Sequence, residues 1–108
     1  MNVPDDINGC LQDVHWSHGS FGYFPTYSLG SFYAAQFFNS ANNQLSNLEQ
    51  LIEKGDTTLL LEWLRKNIHS KGRLYTSEEL CKQITGATLD TANFTSYLLH
   101  KYTSIYNL

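Results

Sequence analysis

The stretch YSLGSFYAAQFFNSAN, residues 27–42, decides the fold. Leu29, Phe32, Tyr33, Gln36, Phe37 and Ser40 recur at three- and four-residue spacing, the period of one helix face. Ala34 and Ala35 favour helix as well. The spacing predicts a helix from about Ser28 to Asn42. Aromatic and small apolar residues occupy its other sides too, the pattern of a helix buried all round. The NSANNQ run that follows is expected to end or loosen it.

This helix lies inside a longer anomaly. From Val14 to Leu48 there is no Asp, Glu, Lys or Arg, over 35 consecutive residues. The run also holds Trp16, Phe21, Tyr23, Phe24, Tyr27, Phe32, Tyr33, Phe37 and Phe38. The whole chain of 108 residues carries 7 Lys+Arg and 10 Asp+Glu, a net charge of -3. Its 16% charged residues fall well below the roughly 25% of an ordinary soluble domain.

Several functions are excluded by this pattern. Ser, Gly, Asn, Gln, His and Pro interrupt the run too often for the roughly 20 apolar residues of a membrane span. The start MNVPDDINGC has two acids and no basic segment, so it does not read as a secretory signal. Net negative charge without a basic cluster argues against a nucleic-acid partner. Cys10 and Cys81 are too few and too far apart for a disulfide framework or a zinc knuckle, and a cytoplasmic location is expected. With 42% hydrophobic and 14% aromatic residues the chain can support a core. A domain of this length must bury a large share of its apolar surface, and a charge-free aromatic third suggests a piece of something larger.

Flanking segments complete an all-α reading, with an irregular Gly- and aromatic-rich region before about five helices. Pro4, Gly9, Gly19, Gly22, Pro25 and Gly30 interrupt residues 1–27, where Cys10 to Trp16 suits a short extended piece and residues 19–25 a tight loop. Residues 28–108 read as a helical array. A short helix is predicted from Ser46 to Lys54, capped by Ser46 with Glu49 and stopped by Gly55. Another runs from about Thr58 to Ser70, capped by Asp56 or Thr57, with Leu60, Leu61, Leu64 and Ile68 as its apolar stripe. A further helix spans Ser77 to Thr85, with a Thr76-x-x-Glu79 capping box and Gly86 as stop. The last runs from about Thr91 to Tyr106, capped by Asp90, with Phe94, Tyr97, Leu98, Tyr102 and Ile105 as a buried stripe.

Chemistry concentrates in the first region. Gln12, Asp13, His15, Trp16, His18, Tyr23 and Tyr27 put a carboxylate, two imidazoles and two phenols within sixteen residues. Such groups position a substrate, polarise a carbonyl or hold an oxyanion. The same residues also suit a structural role, with Asp13 and the imidazoles satisfying loop backbone groups and the tyrosines packing. His15-x-x-His18 suggests a metal only on a helix, which this segment does not resemble, and zinc needs a third protein ligand. Asp13 is the near candidate and lies too close in sequence. H-E-x-x-H, G-x-S-x-G and the phosphate-binding glycine patterns are absent. His69 and His100 read as solvated helix residues, and Cys10 shows no sign of activation.

These residues carry a resemblance. GCLQDVHW, Gly9 to Trp16, fits the G-x-x-Q-D-x-H-W motif of the M32 family of metallocarboxypeptidases, the thermostable carboxypeptidase Taq type. The continuation SHGSFGYFPTYSLGSFYAAQF resembles that family too, as do GRLYTSEEL, the ITG-x-x-LD turn and the F-x-x-YL…KY helix. The resemblance covers essentially the whole chain but only about the last fifth of a family member. It implies an all-helical fold and a zinc- or cobalt-dependent enzyme that removes C-terminal residues from peptides, commonly a cytoplasmic homodimer. The family's H-E-x-x-H helix, its further Glu ligand and its arginine motifs lie upstream and have no counterpart here. The resemblance therefore implies no metal ligand and no cofactor in this chain, and zinc or cobalt in the complete enzyme.

His18-x-x-x-Gly22-Tyr23-x-x-x-Tyr27 is also similar to a motif of helical zinc peptidases of the oligopeptidase type. By that similarity His18, Tyr23 and Tyr27 are the catalytic candidates, donating hydrogen bonds to the tetrahedral oxyanion. Gln12, Asp13, His15, Trp16 and Gly22 are the substrate-binding candidates. Asp13 and His15 would act as an orienting pair, and Gly19 and Gly22 would let the loop backbone approach the substrate. The expected partners are peptide C-termini and either the missing upstream segment or a second copy of the chain. The alternative is a non-catalytic helical interaction module or one half of a split enzyme.

Overall fold

The computed structural model describes residues 2–107, which form six α-helices and two short 3-10 turns with no strand among them. The helices are α1 (Val14–Ser17), α2 (Thr26–Gln44), α3 (Leu48–Glu53), α4 (Thr58–Asn67), α5 (Ser77–Thr85) and α6 (Ala92–Tyr106). The 3-10 turns are Cys10–Gln12 and His69–Lys71. The chain divides into two units, Met1–Gly30 and Ser31–Leu108.

The second unit is built around Ala41, Leu48 and Trp63, with Phe37, Leu45, Ile52, Leu60, Leu64, Ile68 and Ile84 packed against them. The Trp63 indole N–H, which would be costly to bury alone, donates to Gln44 Oε1 at 2.9 Å. Gln36 is the one buried polar residue among the described residues, and its amide is fully used. Its amide donates to Thr85 Oγ1 at 3.1 Å and to the Thr88 carbonyl at 3.0 Å, and its Oε1 accepts from the Asp90 N–H at 2.8 Å. A single α2 side chain thus holds the α5–α6 connection. Helix α5 starts at the expected capping box, in which Thr76 and Glu79 bond reciprocally, and ends at left-handed Gly86.

Several elements differ from expectation. Cys10 to Trp16 is not extended: a 3-10 turn and α1 occupy it, because Asp13 caps the short helix. His15 consequently lies on a helix and His18 at its end. Helix α2 runs two residues further than expected at each end, through the Asn-rich run to Gln44. It is not buried all round; only Gln36 and Ala41 are buried on it. Helix α3 begins at Leu48 after a left-handed Asn47, so Ser46 caps nothing there, and Glu49 instead accepts from Asn42. Helix α4 stops at Asn67, and the 3-10 turn carries the chain on through His69. The stripe foreseen on α6 is not buried: Tyr97, Tyr102 and Ile105 are exposed. A chain this short cannot cover all the apolar faces its helices present.

Candidate functional site

The site is assembled in the first unit from local backbone geometry. Gly9 lies where a side chain would collide, since an added Cβ would meet Val3 Cγ1 at 2.8 Å and the Asp5 carbonyl at 3.2 Å. The Gln12 amide donates to the Ile7 carbonyl and folds this segment back on itself. Asp13 then starts α1: its Oδ1 accepts from the N–H groups of His15 at 2.9 Å and Trp16 at 3.1 Å. A carboxylate at a helix N-cap meets otherwise unpaired donors and the positive end of the dipole. Burial pushes the Asp13 carboxyl up, but the Trp16 and His15 amides and the His15 imidazole together hold it below its ordinary range.

Helix α1 presents His15 and His18 three residues apart, with ring centroids separated by 6.1 Å. The turn that follows needs Gly22 in the left-handed region, at φ 84°, where a β-carbon would strain the backbone. That turn returns the chain so that Tyr23, Phe24 and Tyr27 surround the His15 ring. Tyr23 stacks on it at 5.1 Å, Tyr27 lies at 5.7 Å, and Phe24 at 6.4 Å. The Tyr27 hydroxyl is 3.4 Å from His15 Nε2. On its other side the His15 ring places Nδ1 3.3 Å from Asp13 Oδ1. This Nδ1 is buried and has no aligned hydrogen-bond partner, so the contact with the carboxylate is electrostatic and off the direct line.

Five of the eight foreseen residues therefore meet at one imidazole, His15 itself with Asp13, His18, Tyr23 and Tyr27, and Gly22 makes the turn between them. Trp16 points elsewhere on the loop, packing edge-on against Phe21 at 5.5 Å, and Gln12 is engaged with backbone. His18 is exposed, and its Nδ1 pairs with Ser20 Oγ at 3.1 Å. Phe24 and Ser20 complete the cluster and were not foreseen; their signal was simply their place in the same SFGYF run. Tyr23 and Tyr27 are each more than half exposed, with the Tyr27 hydroxyl against His15.

The donor set does not fit a zinc ion. Three protein ligands are required at one point, and no group of three His, Cys, Asp or Glu side chains converges among the described residues. Asp13 is committed to the α1 cap, and both His15 nitrogens face other side chains. A groove of about 790 Å³ in the second unit, lined by Ala34, Ala35, Phe38 and Phe94 among others, contains carboxylates but no imidazole or thiol. Its carboxylates are already engaged, Glu49 accepting from Asn42 and Asp90 from the Ala92 N–H.

The loop thus gathers two imidazoles and two phenols at one end of a helical chain. The family model of carboxypeptidase Taq (M32) metallopeptidases matches residues 1–102, and the chain belongs to that family. It is 42% identical over 105 residues to thermostable carboxypeptidase 1 of Thermus thermophilus, covering 96% of this chain and 21% of that protein. The solved structure of CHT is 59% identical and superimposes with a TM-score of 0.84, over 94% of this chain and 20% of the other. An M32 carboxypeptidase from Deinococcus radiodurans is 36% identical with a TM-score of 0.89, over 100% of this chain and 22% of the other. The chain spans about a fifth of the length of the relatives it matches.

Proposed function

We propose that this chain is the C-terminal part of a zinc-dependent metallocarboxypeptidase and supplies one wall of its substrate cleft. Zinc or cobalt would be held by residues outside this chain. The observation that carries the reading is the exposed phenol pair, Tyr23 and Tyr27, held around His15 beside the exposed His18. Hydrolysis of a peptide bond develops negative charge on the scissile carbonyl oxygen. Hydroxyl and imidazole donors fixed in advance stabilise that charge without reorganising as it forms. His18 and Tyr23 are the donors and Tyr27, whose hydroxyl lies against His15 Nε2, lines the cleft beside them, while Asp13, His15 and Gly22 hold the loop that presents them. Gln12 and Trp16 brace that loop.

A partner is expected to cover the chain. Tyr97, Leu99, Ile105 and Tyr106 on α6 are all exposed by more than half, which supports burial against the upstream part of the enzyme. Nothing in the described helices is long and apolar enough to cross a membrane.

The test is reconstitution. The chain is mixed with a separately prepared upstream segment and assayed for release of the C-terminal amino acid from a blocked dipeptide, with added zinc or cobalt. Activity is expected only in the mixture. Release by the pure chain with stoichiometric zinc would overturn the reading, and so would an inactive but stably assembled mixture. Self-association that persists in the presence of the upstream segment would favour an independent interaction module.

A further inference from the structure

The His15 ring is held from both sides, and the two contacts are chemically unequal. Asp13 Oδ1 lies 3.3 Å from Nδ1, and the Tyr27 hydroxyl lies 3.4 Å from Nε2. A carboxylate oxygen can only accept. Were the buried Nδ1 unprotonated, its lone pair would lie 3.3 Å from a carboxylate oxygen with no proton to offset the repulsion. The proton of the neutral ring therefore belongs on Nδ1, and Nε2 becomes an acceptor. A phenol at hydrogen-bonding distance from an acceptor nitrogen turns its O–H toward it. Stacking of Tyr23 on the ring at 5.1 Å, with Phe24 tilted against it at 6.4 Å, keeps the imidazole from rotating out of this arrangement.

We infer that Asp13, His15 and Tyr27 form a positioning chain, in which Asp13 sets the His15 tautomer and His15 in turn orients the Tyr27 hydroxyl. His15 is thus a positioning residue rather than one that touches substrate. The two imidazoles have separate tasks, with His18 facing outward and His15 inward. The inference rests on the proposed cleft role only for its catalytic consequence; the tautomer and the Tyr27 bond stand apart from it.

The experiment reads the two levels separately. In the chain labelled with 15N at histidine, long-range proton–nitrogen spectra assign the proton on each ring nitrogen. His15 is expected to carry its proton on Nδ1, opposite to the usual preference of free histidine. Asp13→Asn keeps an acceptor for the α1 cap but removes the charge, and is expected to move His15 toward the Nε2–H form. Tyr27→Phe is expected to shift the Nε2 resonance while leaving the tautomer as it is. A wild-type Nε2–H form, or an Nε2 signal indifferent to Tyr27→Phe, overturns the inference.

The same variants in the assembled enzyme give a second readout, which also serves if the chain alone is not folded. Asp13→Asn is expected to lower kcat on the order of 10–100-fold with KM unchanged, as when an outer orienting group is lost. His15→Gln, whose amide reaches the Nε2 position, is expected to retain more turnover than His15→Asn, whose amide reaches only Nδ1. Equal losses in Gln and Asn variants, or a loss confined to KM, would overturn it. A correct tautomer with unaffected turnover would sink the cleft role instead. The wrong tautomer, with turnover still abolished by His18→Ala, would sink only the positioning chain.

Discussion

The two units of this chain are held together in opposite ways. Among the described residues of the first unit none is buried, and the side-chain hydrogen bonds that shape it are local, the one from Tyr27 to His15 joining residues twelve apart. In Ser31–Leu108 the decisive bonds span 49 to 54 residues, from Gln36 to Thr85, Thr88 and Asp90, around a core of Ala41, Leu48 and Trp63. Local bonds suffice to shape a short loop with its phenols turned outward. Long-range bonds and burial are needed to give helices a fixed register. Side chains left exposed on a loop cannot themselves form a core, so shape and stability are divided between the units.

This contrast yields expectations that would break or sharpen it. The largest effect should come from Trp63→Ala, which empties the core and strands Gln44; a loss of about 3–5 kcal/mol in denaturant unfolding is expected. If the loop alone carried stability, unfolding would barely change. Next, Tyr23→Phe or His18→Ala in the assembled enzyme should cost about 10²–10³ in kcat, or about 2.7–4 kcal/mol. Unfolding midpoints should stay put, and His69→Ala should alter neither. Equal kinetic effects at His69 would remove the distinction between the loop and the helical unit.

Gln36→Ala follows, at about 1–3 kcal/mol of stability, because it leaves the Asp90 N–H and Thr88 carbonyl without their partner. Hydrogen exchange should accelerate at Asp90 while the α1 amides are unaffected. The smallest effect is at the α5 cap, where Thr76→Ala should cost about 1 kcal/mol. The cap also has a pH signature. The Thr76 backbone N–H and then its hydroxyl hold the Glu79 carboxyl below its ordinary value of 4.5. The cap's contribution is therefore complete above that pH and is lost as the pH falls through the lower folded value. A Glu79→Gln chain should show a flatter acid limb in thermal unfolding; an unchanged limb would place the acid sensitivity elsewhere.

Legibility followed the range of the interaction. Helix α5 was readable residue for residue, since Thr76, Glu79 and Gly86 act within its own ends. The all-helical class was readable from period alone. Helix α1 was missed because a four-residue helix has no period, and its signal is a single Asp13 cap. Ser46 misled because a Ser-x-x-Glu spacing matches a capping box even where Asn47 turns the chain first. The partners of Gln36 were invisible, as they lie half the chain away. The stripe of α6 was legible as a pattern, but whether a stripe is covered depends on how much protein surrounds it.

Sequence by itself determined the helical class, the family resemblance and the list of residues that carry chemistry, since periodicity, caps and motif spacing are all local. Tertiary structure decided which of those residues meet. It placed His15 between Asp13 and Tyr27 and left His18 outward, although both histidines have the same side chain and lie three positions apart. The reason is directional: a ring nitrogen's role depends on what faces it across space, and only the turn through Gly22 brings Tyr27 back to His15.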